Sequence, residues 1–282
     1  METTKTESQP ARKARAFEMA LDIQATPDEV WRALTDAEEL VRWFPLQARV
    51  TPGVGGSMSW KWEESWDWTT RIDRWEPGQL LRLVQDYRPT EDVEQAVVAM
   101  EFTLSTNAGK TRLRIVHSGF GEGASWDNEL DSISEGWPAE LRGLRLYLER
   151  HRGQDRQVGR YHLSVSQPQD AVWSRLTGPG GYRLSPAEPQ AGSKFEVTTP
   201  GGNRLSGQVE VYVPHQTITG IVRELDDALL RIATWRTSTG QTGIWLWLST
   251  YTGDAEATRA FEQEAREELS KLFPEAVADQ QM

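Results

Sequence analysis

Chemistry in this chain has to come from histidine, arginine, carboxylates and hydroxyls. Its 282 residues include no cysteine, which removes disulfides, thiolate metal sites and a thiol nucleophile. The four histidines, His117, His151, His162 and His215, form no His-x-Glu or His-x-x-His pair, so no metal site is expected from their spacing, and no motif asks for a cofactor. Ser118 beside His117 is not a triad, because strand neighbours point to opposite faces. Glu63-Glu64, Asp226-Asp227 and Glu267-Glu268 read as solvated charge. Two residues remain. His117 shares strand parity with Leu113 and Ile115, opposite to Arg112 and Arg114, so it should face inward. It reads as a structural hydrogen-bonding histidine or as an acid–base group. Arg74 shares parity with Ile72 and is expected partly enclosed. It would serve as an internal ion pair with Glu63 or Glu101, as a snorkelled rim residue, or as the partner of a ligand carboxylate or phenolate.

These two residues need elements to hold them. Phe17, Met19, Leu21 and Ile23 alternate as a strand, and Thr26-Pro27-Asp28-Glu29 forms a capping box opening a short helix to Thr35. Asp36 caps a second helix, Ala37–Phe44. Pro52-Gly53-Val54-Gly55-Gly56 is a turn rather than a phosphate loop, since a strand, not a helix, follows it. Strands are predicted at 57–63, 68–76, 80–87, 94–105 and 111–119, with a hairpin at Asn107-Ala108-Gly109. Trp137, Leu141, Leu144 and Leu148 then make one apolar stripe on a helix over Gly136–Arg150. Pro138 fits best as its first residue; in a longer helix it would be an internal kink.

The order then restarts. Ala171–Thr177 repeats Glu29–Thr35 at an offset of 142, and Pro189, Gly192, Phe195, Val209, Tyr212, Pro214 and Ile218 repeat Pro52, Gly55, Met58, Ile72, Trp75, Pro77 and Leu81 at an offset of 137. The second copy is shorter, lacks the Trp43 helix and closes with a helix at 254–273 striped by Phe261, Ala265 and Leu269. Expected units are a disordered tail at 1–14, a domain at 15–152, a linker at 153–159, a degenerate second domain at 160–275 and a tail at 276–282.

Charge and composition narrow the function classes. The net charge of −11 is distributed as +2 over residues 1–15, −10 over 16–151 and −3 over 152–282. That balance argues against a nucleic-acid partner. No apolar run is long enough to span a membrane and residues 1–15 lack a signal-peptide core, so a cytoplasmic protein is expected. Nine of the thirteen tryptophans lie in the first half, where so much aromatic surface suits a wide apolar cavity.

Leu34–Phe44 (LTDAEELVRWF), Pro52–Trp60 (PGVGGSMSW), Ile72–Leu81 (IDRWEPGQLL), His117–Phe120 (HSGF) and the Gly136-Trp137 opening of the long helix resemble the START-like (SRPBCC) superfamily. More narrowly they resemble the bacterial proteins named after the C-terminal domain of the activator of Hsp90 ATPase (AHSA1-like). The second half resembles the same family weakly, without a counterpart of HSGF. The resemblance implies an α+β fold of two tandem helix-grip domains, each a curved antiparallel sheet around a long C-terminal helix. It also implies a deep apolar pocket for a small hydrophobic or aromatic molecule. By strand and helix phase, the pocket candidates in the first domain are Trp43, Met58, Trp60, Trp62, Arg74, Leu83, Met100, Phe102, His117, Trp137, Leu141 and Leu144. A non-catalytic binding protein is the leading reading; a polyketide cyclase or aromatase-like enzyme and a chaperone-associated interaction module are the alternatives, and a homodimer is left open.

Overall fold

The computed structural model describes residues 15–63, 66–237, 240–253 and 255–276. The tail expected at 1–14 and Asp254, where the last helix was expected to begin, lie outside the described residues; of 276–282 only Ala276 is described.

The chain builds two seven-stranded antiparallel sheets with the same strand order. The first comprises β1 (Ala16–Ile23), β2 (Gln47–Thr51), β3 (Ser57–Glu63), β4 (Trp66–Glu76), β5 (Leu80–Tyr87), β6 (Ala96–Asn107) and β7 (Lys110–Ser118), ordered β1-β7-β6-β5-β4-β3-β2. The second comprises β8 (Gln157–Val165), β9 (Arg183–Ser185), β10 (Lys194–Thr198), β11 (Arg204–Val213), β12 (Thr217–Val222), β13 (Ala228–Arg236) and β14 (Thr242–Thr250), ordered β8-β14-β13-β12-β11-β10-β9. Helices α1 (Pro27–Thr35) and α2 (Ala37–Leu40) follow β1, α3 (Ala124–Leu146) follows β7, α4 (Gln169–Thr177) follows β8 and α5 (Glu256–Leu272) follows β14. Each sheet holds a long C-terminal helix, so the fold is two tandem helix-grip domains. The second sheet starts at Gln157, inside the stretch expected as linker. The α2 helix stops at Leu40, and turns carry the chain on to Phe44.

Local chemistry accounts for the punctuation. Thr26 accepts from the Glu29 N–H while the Glu29 carboxylate accepts from the Thr26 N–H, closing the capping box. Asn107 pairs with Lys110 across Ala108 and Gly109, both at positive φ, the backbone a two-residue hairpin turn requires.

Helix α3 is longer than its apolar stripe predicts. It begins at Ala124 and runs through Pro138, so Pro138 is internal and leaves the Ser134 carbonyl without its helical N–H partner. A helix-interior proline costs about 3 kcal/mol. Buried Trp126, Ile133 and Trp137 before it, and Leu141 and Leu144 after it, keep both halves on the sheet. The helix ends in a π-helical turn, Tyr147–His151.

Arg74 is the position where simple alternation fails. The β4–β5 register shifts between Ile72 and Arg74, so Asp73 is an extra bulge residue and parity inverts after it. Ile72 is buried and Arg74 points outward, half exposed, pairing with Glu76 at 2.5 Å. The expected enclosure of Arg74 beside the pocket is therefore incorrect. β11 carries the same irregularity between Val209 and Val211, at the positions offset by 137.

The domains are not beads on a string. Leu230, Ile232, Ile244, Leu246 and Leu248 form the second domain's own core with Phe261, Ala265 and Leu269 of α5. On the opposite face of that sheet, Trp245, Trp247 and Tyr251 join the core of the first domain. Gly143 of α3 lies close to Leu229 of β13, and Arg142 and Arg145 of α3 reach Glu210 of β11. The layers therefore run first sheet, α3, second sheet, α5.

Leu141 is fully buried on the inner face of α3, so Leu141→Ala is expected to lower the unfolding free energy by about 2–5 kcal/mol in urea titrations. Arg74→Ala should change it by less than about 0.5 kcal/mol, as an exposed ion pair beside a bulge implies.

Candidate functional site

A cavity of about 450 Å³ lies where the first sheet, α3 and the outer face of the second sheet meet. The first sheet supplies Trp60 and Trp62 from β3, Trp68 from β4, Gln85 and Tyr87 from β5, Met100 from β6 and His117 from β7, with Phe44 beside them. Register sets this wall, since Trp60 pairs with Trp68 across β3–β4 and Met100 with His117 across β6–β7. Helix α3 contributes Glu129, Ile133, Gly136, Trp137 and Glu140, spaced along one face. The second sheet contributes Thr217, Arg231, Ala233, Trp235 and Trp245.

The aromatic walls brace one another. Phe44 stacks on Trp137 at 5.5 Å and meets Trp60 and Trp62 edge-on at 5.4 and 5.0 Å, while Trp68 stacks on Tyr87 at 6.2 Å. Such contacts hold rings upright as a lining instead of letting them collapse inward. Gly136 leaves the helix wall open, because a Cβ built there meets nothing within 4 Å.

Polar groups in this lining fall into two sets. His117 is 1% exposed, and its Nδ1 accepts a long 3.4 Å hydrogen bond from the Trp137 indole. That acceptor role puts the proton of the neutral ring on Nε2. Burial pushes its pKa down to about 4, because the cavity wall cannot solvate an imidazolium. On the helix, Glu129 accepts from the Tyr87 hydroxyl at 3.0 Å. Burial holds the Glu129 carboxyl above the usual range although the Tyr87 bond opposes this, and burial also raises the Tyr87 phenol. Burial raises Glu135 too, with the Asp131 charge adding to it, against a hydrogen bond from Gln216 and the Arg231 charge. Glu140 is raised by burial but is paired with Arg231 at 3.0 Å, whose guanidinium also lies over the Trp245 ring at 5.8 Å.

The second set has no hydrogen-bond partner among the described residues. The indole nitrogens of Trp60 and Trp68, Gln85 Oε1, Gln216 Oε1 and Thr217 Oγ1 are buried in the cavity lining without a hydrogen bond. Each such group costs about 1–3 kcal/mol if it is left unsatisfied. With the Nε of Arg231, also buried without a hydrogen bond, six such groups belong to residues that line this one cavity. Among the described residues, no group of three or more His, Asp or Glu side chains is placed to hold a metal ion, and no helix is long and apolar enough to cross a membrane.

Five of the twelve candidate positions line this cavity: Trp60, Trp62, Met100, His117 and Trp137. Met58, Leu83, Phe102, Leu141 and Leu144 are buried in the first domain's core instead. Trp43 is buried too; its indole donates to the Ala33 carbonyl at 2.8 Å, and it borders a separate crevice of about 30 Å³ near Arg156 and Trp247. Arg74 faces away, as described above. The missed residues have identifiable signals. Gln85 and Tyr87 continue the parity of Leu81 and Leu83, and Glu129 lies on the part of α3 that Pro138 hid. Trp245 sits in β14, whose run of buried residues lacks the alternation of a sheet with one wet face, the mark of a strand covered on both sides.

Comparison with known proteins bears on the first half. Residues 24–149 match the family described as Activator of Hsp90 ATPase homolog 1-like protein. No curated protein matches the chain. Among solved structures, protein MLL2253 from Mesorhizobium loti is 21% identical, with 49% of this chain and 98% of that one covered and a TM-score of 0.44. The Aha1 dimer from Colwellia psychrerythraea is 19% identical, with 49% and 98% covered and a TM-score of 0.41. DynU16, from the dynemicin biosynthetic locus, is 16% identical, with 93% and 97% covered and a TM-score of 0.42. The family match, running from the capping box to the end of α3 and laid over a sheet that grips that helix, makes the first domain an AHSA1-like domain of the START-like superfamily.

Proposed function

We propose that this protein binds a small, mainly apolar or aromatic molecule in the cavity between its two domains, and that the second domain is a working wall of the site. The observation that carries this reading is the set of unpartnered buried polar atoms inside an aromatic lining. Ligand sites have this composition, with broad apolar walls and a few polar groups that fix orientation. The volume of about 450 Å³ falls in the range of small-molecule pockets. Binding without turnover is favoured over acid–base catalysis by His117. With a pKa near 4 it is a weak base at neutral pH, where a general base works best with a pKa close to ambient. Its orienting partner is an indole N–H, not the carboxylate that would stabilise an imidazolium. In this role His117 is a neutral hydrogen-bonding group on the wall.

Three outcomes are expected. A thermal-shift screen of aromatic and lipid-like compounds on the full chain should return ligands that stabilise it by about 2.7 kcal/mol at a hundredfold excess over Kd, roughly 5–10 °C for a chain of this size. A screen with no shift at any concentration, alongside native mass spectra free of ligand, would remove the proposal. Gly136→Leu should fill the cavity from the helix side, abolish those shifts and keep or raise the intrinsic Tm, since leucine suits a helix interior better than glycine. Unchanged ligand shifts in that variant would place the binding site elsewhere. The third outcome concerns pH. The unfolded chain protonates His117 below about 6.5, whereas the folded one does so only below about 4. Between those values the unfolded state holds the extra proton, so stability falls as pH drops through that window. The wild type should therefore lose on the order of 3 kcal/mol more than His117→Gln between pH 7 and pH 4 in urea titrations.

A further inference from the structure

Resting on the reading that this cavity takes a small molecule, we infer that the ligand is a cation: a protonated or quaternary amine on an aromatic or alkyl body, caged by indole and phenyl rings and balanced by Glu129 and Glu135. The charge inventory of the lining leads there. Its ionisable groups are Glu129, Glu135, Glu140, Arg231, Tyr87 and His117. Arg231 is committed to Glu140 at 3.0 Å. Among the described residues, Glu129 has the neutral Tyr87 phenol as its one hydrogen-bond partner, at 3.0 Å. Glu135 has the neutral Gln216 amide, Asp131 adds a further negative charge beside it, and the cation acting on it is the same Arg231 that pairs with Glu140. His117 is neutral, so it offsets neither carboxylate. An anionic ligand would be brought up to three lining carboxyl groups that share one lining arginine, whereas a cationic one would supply the missing charge.

The rings make the same choice independently. An aromatic face carries negative quadrupolar potential, and rings gathered around one space form the usual cage for ammonium groups. This lining gathers Phe44, Trp60, Trp62, Trp68, Tyr87 and Trp137 from the first domain alone. Its far wall already holds one cation in that manner, the Arg231 guanidinium over Trp245. A third observation is Thr217, 3% exposed, whose Oγ1 lies in the lining without a partner; with Gln85 Oε1 it offers acceptor oxygens to an ammonium N–H. The unpartnered indole N–H groups of Trp60 and Trp68 are donors, and they suit an ether, carbonyl or phenol oxygen on the ligand body.

The test uses the full chain and three probes of one shape: (3-phenylpropyl)trimethylammonium, its neutral isostere with a tert-butyl group in place of the trimethylammonium, and 4-phenylbutyrate. Affinities are read by tryptophan fluorescence and calorimetry. The ammonium is expected to bind at least about tenfold tighter than the neutral isostere, with the carboxylate weakest. The double substitution Glu129→Gln, Glu135→Gln should remove most of that preference while leaving the neutral probe's affinity within about twofold, with circular dichroism and Tm reporting that the chain is folded. Equal or tighter binding of the neutral probe or the carboxylate overturns the cationic assignment and leaves the cavity as a ligand site. A preference that survives in the double variant overturns the role given to the two carboxylates. If none of the three binds at millimolar concentration, the cationic assignment falls, while the binding reading falls only if the broader thermal-shift screen is also empty.

Discussion

Everything in this molecule depends on α3 being gripped from two sides. A helix that closes its own sheet ordinarily turns its other face to water. Here that face meets the back of a second sheet. The consequence can be read in β14, where Ile244, Leu246 and Leu248 serve the second core while Trp245 and Trp247 serve the first. A strand with two apolar faces is stable only when both are covered. The second sheet therefore needs α5 on one side and the first domain on the other. Full burial of a large side chain such as Trp247 contributes about 2–3 kcal/mol, and the junction buries Tyr251 beside it, with Tyr251 donating to the Arg42 carbonyl at 2.7 Å.

Charge fixes the register of this junction more than it holds it. Arg145 meets Glu210 at 2.7 Å, Arg231 meets Glu140 at 3.0 Å, and Arg150 pairs with Asp227. Partly exposed pairs of this kind contribute about 0–1 kcal/mol each, well below the apolar burial around them. Their effect is to specify which part of α3 lies on which strand. Glu210 takes its place there through a bulge, since the irregularity between Val209 and Val211 makes it the extra residue of β11, as Asp73 is of β4. One backbone device thus serves opposite purposes. In the first sheet it turns Arg74 out to pair with Glu76; in the second it presents a carboxylate to the arginines of the neighbouring helix.

Much of this architecture was legible in the residues. Strand parity correctly turned His117, Met100, Phe102 and Leu83 inward, because alternation is a local rule that unbroken strands obey. It failed at Arg74, where an inserted bulge residue reverses the rule and leaves no trace in hydropathy. The Thr26 capping box and the Asn107 hairpin were readable for the same local reason. Pro138 is ambiguous because a proline suits a helix start as well as a kink, and neither choice points to a start as early as Ala124, which is what brings Glu129 onto the helix. Which inward residues line a space and which fill the core could not be reached by parity at all. Leu141 and Trp137 share one stripe, yet only Trp137 borders the cavity. That distinction depends on where the second sheet stands, and nothing local to the first domain encodes it.

The size of the cavity bears on what it is for. A space of about 450 Å³ leaves its lining without the packing partners that a filled core supplies, and each missing contact forfeits dispersion energy. A chain under no other demand would fill such a space. The simplest means lay at Gly136, where a larger side chain meets nothing and would improve the helix. Instead the space is bordered by rings braced edge to face, and by residues whose buried polar atoms have no hydrogen-bond partner among the described residues. Water can fill those positions at modest cost, but only some walls are polar, so water held against Trp62, Met100 and Ile133 gains little there. A molecule with an apolar body and a few well-placed polar groups replaces that water on better terms, and the combination of open volume, fixed rings and unpaired atoms is what such a replacement requires.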